Sequence, residues 1–101
     1  MPQIIDLLTE QELPAECYIF KHGTDCVISS NAARVIREFQ TDLPIYWVNV
    51  KQNRPMSDWV ASHYQVEHDW PQLIKIEAGK PVQTLTHYSI NERNLKKAPH
   101  A

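Results

Sequence analysis

A continuous apolar run limits the folds open to this chain more than any other feature. Residues 44–50 read Pro-Ile-Tyr-Trp-Val-Asn-Val, which is almost free of polar side chains and rich in strand-forming types. A strand with this pattern is typically covered on both faces, as the strands of parallel sheets are. The run therefore predicts a central strand in an α/β protein.

Caps, turn residues and apolar periodicity predict the elements around this strand. In chain order we expect a short helix capped by Thr9 with Glu12 closing a capping box, a strand at 17–20, a helix from Cys26 to about Phe39, the central strand, a helix opened by Asn53-Arg54-Pro55, a hairpin that turns at Gly79, and a last helix capped by Ser89 or Asn91.

This order of elements predicts a topology. A right-handed crossover would make the first two strands parallel neighbours, and the hairpin would add two antiparallel strands. The result is a mixed four-stranded sheet flanked by helices, in the order α-βαβ-α-ββ-α, which is the thioredoxin-like arrangement. With a length of 101 residues, we expect one such domain over residues 1–101.

Charge and glycine content exclude several classes of partner. Ten basic against twelve acidic residues give a formal charge of −2, with no basic patch for nucleic acid or an anionic membrane. The two glycines, Gly23 and Gly79, are too far apart for a phosphate-binding glycine loop. No apolar run approaches the ~18 residues of a membrane helix, and residues 1–3 lack the basic start of a signal peptide. We therefore expect a cytoplasmic protein without nucleic-acid or membrane partners.

Cys26 is the residue most suited to chemistry. It is predicted at the start of a helix, where unpaired N–H groups and the helix dipole stabilise a thiolate. Asp25 would oppose this stabilisation, while Lys21 and a protonated His22 would reinforce it if the loop folds them back. The alternative is a small apolar residue packed under the helix. Cys17 opens a predicted strand, so we expect it to be protected and not bridged to Cys26.

Ser29 follows Cys26 by three positions, so the chain carries C-x-x-S where a dithiol oxidoreductase has C-x-x-C. The hydroxyl can donate a hydrogen bond to a thiolate, or it can satisfy an unpaired N–H in the first helical turn. Both readings remain open from spacing alone. The five histidines show no metal-ligand spacing, and His22 with Cys26 would supply too few ligands for a closed zinc site. We therefore predict no metal.

Residues 21–29, Lys-His-Gly-Thr-Asp-Cys-Val-Ile-Ser, resemble the signature of the YtxJ family of bacilliredoxin-like, thioredoxin-fold proteins. Residues 67–74, which include a proline before the third strand of the predicted sheet, resemble a second motif of that family. The resemblance spans about residues 4–97. Two positions depart from it, since Gly23 replaces the usual serine and Val27 replaces the usual proline.

The resemblance implies a monothiol thiol-disulfide oxidoreductase. Cys26 would attack a mixed disulfide between a protein and the small thiol bacillithiol, and Ser29 would support its thiolate. The Trp70-Pro71 bond would be cis, which would leave the Trp70 amide and carbonyl unpaired for an extended substrate. Thr24 and His22 would complete the substrate-binding residues.

The partners implied are S-thiolated proteins and the small thiol, with bacillithiol as co-substrate and no other cofactor. A non-catalytic thioredoxin-like interaction module, or a thiol-based redox sensor, is the alternative function.

Overall fold

The computed structural model describes residues 2–24 and 27–97, and alternates strands with helices through most of that length. In chain order the elements are β1 (Ile4–Asp6), β2 (Cys17–His22), α1 (Val27–Glu38), β3 (Ile45–Asn49), α2 (Arg54–Tyr64), β4 (Gln72–Glu77), β5 (Lys80–Thr86), a 3-10 helix (His87–Ser89) and α3 (Glu92–Leu95). None of these helices is long and apolar enough to cross a membrane.

The strands form one mixed sheet in the order β1-β3-β2-β4-β5. β3 lies between β1 and β2 and is parallel to both, while β4 is antiparallel to β2 and to β5. Ile45 and Val48 of β3 are fully buried, as the apolar run predicts for a strand covered on both faces. The mixed sheet with flanking helices is therefore confirmed.

The beginning of the chain differs from the prediction. Residues 4–6 form a strand in register with residues 45–47, and the Leu7 amide donates to the Trp47 carbonyl at 2.9 Å. No helix follows at Thr9, where one was expected. Because β1 joins the sheet, the sheet has five strands instead of four. The outer edge of β3 carries backbone groups that need partners, and β1 supplies them. The segment from Thr9 to Pro14 is too short to sustain a helix on its own, and Pro14 limits its extension.

Two apolar clusters lie on opposite faces of the sheet. The first packs against α1 and includes Tyr18, Phe20, Ala32, Ala33, Ile36, Ile45, Trp47 and Leu73. The second packs against α2 and includes Cys17, Ile19, Val48, Met56, Val60, Tyr64, Ile74 and Ile76. Because side chains alternate along a strand, β2 contributes to both clusters. The residues after Phe20 continue this alternation, which places Lys21 on the α2 side and His22 on the α1 side.

Capping residues and a turn glycine account for where two helices begin and where the β4-β5 hairpin turns. The Asn53 side chain accepts a hydrogen bond from the Met56 amide at 3.3 Å and caps α2, with Pro55 in the first turn. Asn91 caps α3 in the same way through the Asn94 amide at 2.9 Å. Gly79 has a φ of 75° in the β4-β5 turn, as predicted. These caps and this turn agree with the sequence analysis.

Candidate functional site

The candidate site lies where the parallel strands β2 and β3 end side by side. His22 is in register with Asn49, and the Val50 amide donates to the His22 carbonyl at 2.9 Å. From His22 the chain runs toward Cys26, and α1 begins at the next residue, Val27. Asp25 and Cys26 lie outside the described residues, so the nucleophilic role of Cys26 stays a prediction.

Ser29 joins the end of β2 to α1. Its side chain is fully buried, and its Oγ accepts a hydrogen bond from the Gly23 amide at 2.8 Å. The same oxygen lies 2.7 Å from Nδ1 of His22. The hydroxyl therefore satisfies a backbone amide, but that amide belongs to the loop and not to the first turn of the helix.

The position of the proton between His22 and Ser29 determines whether the Ser29 hydroxyl can donate a hydrogen bond to another group. If Nδ1–H of His22 donates to Oγ, the serine accepts two hydrogen bonds and keeps its own proton for a third group. If the serine donates to Nδ1, its single proton is already used. The support that Ser29 can give to a thiolate thus depends on the tautomer of His22.

His22 is surrounded by aromatic and cationic groups. Its ring centroid lies 5.8 Å from that of Phe20 and 5.5 Å from that of Trp47. Burial lowers the pKa of His22, and the positive charge of Arg37 lowers it further, against a smaller opposing effect of the Ser29 hydrogen bond. Burial and Arg37 therefore disfavour the protonated form of His22 that was expected to reinforce the thiolate.

Gly23 is in close contact with Trp70. A Cβ atom added to Gly23 would lie 2.5 Å from Cδ1 of the Trp70 ring and 3.0 Å from its Nε1. The loop thus needs glycine here for space, because the indole fills the volume that a side chain would take. This contact brings residues 70–71 beside the loop that leads to Cys26.

The Trp70-Pro71 bond is cis, in agreement with what the resemblance implied, and Pro71 is buried. The Trp70 amide is not unpaired, however, because it donates to Oδ1 of Asp69 at 2.8 Å. The expectation of a free amide at this rim is therefore wrong, since the preceding aspartate side chain turns back onto it. The guanidinium of Arg54 lies over the Trp70 ring at 5.6 Å, and the His68 ring meets its edge at 5.3 Å.

Thr24 is an exposed residue of this loop, and its role in binding substrate stays a prediction. Cys17, in contrast, is fully buried at the start of β2, with its Sγ 3.5 Å from the Pro14 carbonyl. Burial raises the pKa of the Cys17 thiol to about 11, with a smaller contribution from Glu16. Cys17 is therefore protonated at neutral pH, as expected for a protected thiol.

Lys21 is the feature that sequence analysis placed incorrectly. It was expected in the loop, but it belongs to β2 and is fully buried, and its Nζ has no hydrogen-bond partner among the described residues. Burial lowers its pKa to about 8, while Asp58 and Asp69 oppose the shift and Arg54 adds to it. A lysine that directly follows the apolar run Cys-Tyr-Ile-Phe was the signal available in the sequence.

Known proteins are similar to this chain in sequence and in fold. A family described as monothiol bacilliredoxin BrxC matches residues 2–95. A solved structure described as a proposed oxidoreductase with a thioredoxin fold has 29% identity and a TM-score of 0.83, over 91% of this chain and 89% of that one. A thioredoxin variant from Halobacterium salinarum NRC-1 has 18% identity and a TM-score of 0.65, over 83% and 77% of the two chains. The thioredoxin-like fold predicted from the order of elements is thus confirmed.

Proposed function

The chain belongs to the monothiol bacilliredoxin BrxC family, and on this basis we propose that it is a monothiol thiol-disulfide oxidoreductase with Cys26 as its nucleophile. Its substrates are proteins that carry a low-molecular-weight thiol in a mixed disulfide, and the small thiol is bacillithiol. A thiol redox function agrees with both the family and the oxidoreductase neighbour.

Ser29 is the observation that carries the proposal. It stands three residues after Cys26, where a dithiol enzyme has its second cysteine, and it is buried and bonded to the Gly23 amide. A hydroxyl cannot form a disulfide, so a small thiol bound to Cys26 is not displaced from within this motif. The only other cysteine, Cys17, is buried and protonated. Release of the bound thiol therefore requires a second small thiol.

The reaction balances in two exchange steps. The Cys26 thiolate attacks the small-thiol sulfur of the mixed disulfide, so that this S–S bond breaks and a new one forms with Cys26, while the protein leaves as a thiolate and takes a proton. The thiolate of a second small thiol then attacks the sulfur bound to Cys26. Cys26 leaves as a thiolate, and the two small thiols are released as their oxidised disulfide. No bound cofactor is needed.

The residues around the loop suit the binding of such a substrate. The Trp70 ring lies beside Gly23, Pro71 is the next residue in the chain, and Thr24 is exposed on the same loop as Gly23. We assign substrate contacts to Trp70, Pro71, Thr24 and His22, with Ser29 as the group that supports the thiolate. These residues thus lie at or beside the loop that leads to the predicted nucleophile.

Turnover of a defined substrate tests the proposal. A protein carrying a bacillithiol mixed disulfide is incubated with the enzyme and free bacillithiol, and released protein thiols are counted over time. Wild type and Cys17→Ala should turn over many equivalents, whereas Cys26→Ala should turn over none. Mass spectrometry of the first turnover should find one bacillithiol on Cys26. A single stoichiometric capping of Cys26 without turnover would indicate a sensor instead of an enzyme.

A further inference from the structure

The buried ammonium of Lys21 lies on the strand that leads into the candidate site. Its side chain is fully buried, and the three N–H donors of Nζ have no partner among the described residues. Unpaired buried charges are costly, and apolar residues of similar volume usually replace them without loss of stability. The packing of β2 therefore does not require a charge at this position.

The residue opposite Lys21 does not neutralise it. Gln72 of β4 is the direct cross-strand partner of Lys21, so the two side chains share the α2 face of the sheet. The Gln72 amide is fixed by a hydrogen bond from Nε2 to the Glu67 carbonyl at 2.8 Å, and its Oε1 also has no partner in the described part of the chain. A neutral amide oxygen leaves the ammonium charge in place.

The charged groups that face Lys21 have partners of their own. On α2, Oδ1 of Asp58 lies 3.0 Å from Nε of Arg54 and 3.1 Å from Nε2 of His68. On the segment before β4, Oδ1 of Asp69 accepts from the Trp70 amide and lies 3.3 Å from Nε2 of His87. The carboxylates of Asp58 and Asp69 are both partly exposed, so water screens them, whereas Lys21 is in the interior.

We propose that Lys21 is a positioning residue for thiol exchange, whose buried ammonium stabilises the thiolate form of Cys26. This inference rests on the proposed function, because the thiolate is the anion that the exchange reaction repeatedly regenerates on this loop. Five residues along the chain span at most about 18 Å, and at that separation, with an effective dielectric constant of about 20, a unit charge changes a protonation equilibrium by about fivefold. Burial and the positive charge of Arg37 lower the pKa of the neighbouring His22 and disfavour a charge there, so Lys21 is the lysine or arginine on this strand that can supply the cation.

The pH profile of Cys26 alkylation tests this role in a Cys17→Ala background, where iodoacetamide labels one thiol. Lys21→Met keeps the length of the side chain and removes the charge, and we expect alkylation at pH 7 to slow by about three- to tenfold as the midpoint of the profile moves to higher pH. Lys75→Met is the matched control. Lys75 lies on the opposite face of the sheet, with Nζ 5.6 Å from the Tyr18 ring, and its removal should leave the profile unchanged.

A reciprocal titration tests the same coupling without changing Lys21. The side-chain ammonium of Lys21 is followed by NMR before and after Cys26 is blocked as a neutral thioether, and its pKa should fall once the thiolate is gone. A purely structural lysine would titrate identically in both forms. If the Lys21→Met profile and the Lys21 titration are both unchanged while wild type still turns over substrate, the inference is overturned and the proposed function stands. If wild type performs no exchange through Cys26, the proposed function itself fails.

Discussion

Nδ1 of His22 lies 2.7 Å from Oγ of Ser29, and this hydrogen bond connects the end of β2 to the first turn of α1. The Gly23 amide donates to the same oxygen at 2.8 Å. Strand, loop and helix are thus held at one buried hydroxyl, between the two segments that flank Cys26. The serine that makes the motif monothiol also organises the loop that leads to the predicted nucleophile.

Replacing Ser29 should therefore affect stability as well as reactivity. Ser29→Ala leaves the buried Gly23 amide without an acceptor, and we expect a loss of about 1–3 kcal/mol in the free energy of unfolding, measured by urea denaturation. Ser30→Ala is the control, because Ser30 is exposed on the same helix and its change should stay within about 0.5 kcal/mol. Equal effects of the two substitutions would show that the hydroxyl of Ser29 does not hold the loop.

Gly23 and Trp70 should behave as a coupled pair. Gly23→Ala places a methyl group 2.5 Å from the indole, so we expect a loss of about 1–3 kcal/mol and a shift in tryptophan fluorescence. In a Trp70→Ala background most of this loss should disappear, since the space is then open.

Gly79→Ala is the control for the coupling between Gly23 and Trp70. Gly79 has a φ of 75° and no atom within 4 Å of an added Cβ, so its substitution should cost about 1 kcal/mol through the backbone alone. The cost should be the same with and without Trp70. Additive effects of Gly23→Ala and Trp70→Ala would contradict the packing described here.

The two cysteines should differ sharply in reactivity. Burial raises the pKa of Cys17 to about 11, so a short iodoacetamide pulse at pH 8 should leave Cys17 unmodified in the native protein and modify it fully in urea. Cys26 should be modified in both conditions. Peptide mass spectrometry reads the two sites in one sample, and labelling of native Cys17 ahead of Cys26 would reverse the assignment.

Elements with strong local signals could be predicted from the sequence. The apolar run of β3, the Asn53 cap of α2 and the turn at Gly79 each depend on residues close together in the chain. The short β1 could not be predicted in this way. Residues 4–6 become a strand because the edge of β3, about 40 residues away, needs backbone partners.

The candidate site was predictable as a motif but not as a set of contacts. The spacing of Ser29 from Cys26 and the resemblance around Pro71 are visible in the sequence. The fit of the Trp70 ring against Gly23 joins segments that are distant along the chain, and no local pattern encodes it. The burial of Lys21 likewise follows from α2 covering that face of the sheet.

The stability of the protein should depend on pH through Lys21. Its pKa is lowered to about 8 in the folded protein, from an ordinary value of 10.5, so below pH 8 both states are protonated and the cost of burying the charge is fully present. Between these two values the unfolded state binds more protons, and this contribution to stability therefore rises with pH.

We expect the free energy of unfolding of the protein that retains Lys21, minus that of Lys21→Met, to rise by about 3 kcal/mol between pH 7 and pH 10.5. Cys17, Tyr18 and Tyr64 have raised pKa values and act in the opposite direction, but they are present in both proteins and cancel in the difference. Both proteins carry Cys26→Ala in this comparison, so the proposed coupling of Lys21 to the Cys26 thiolate does not enter the difference. Urea denaturation across this range measures the difference, and a flat result would mean that Lys21 is not charged and buried as described.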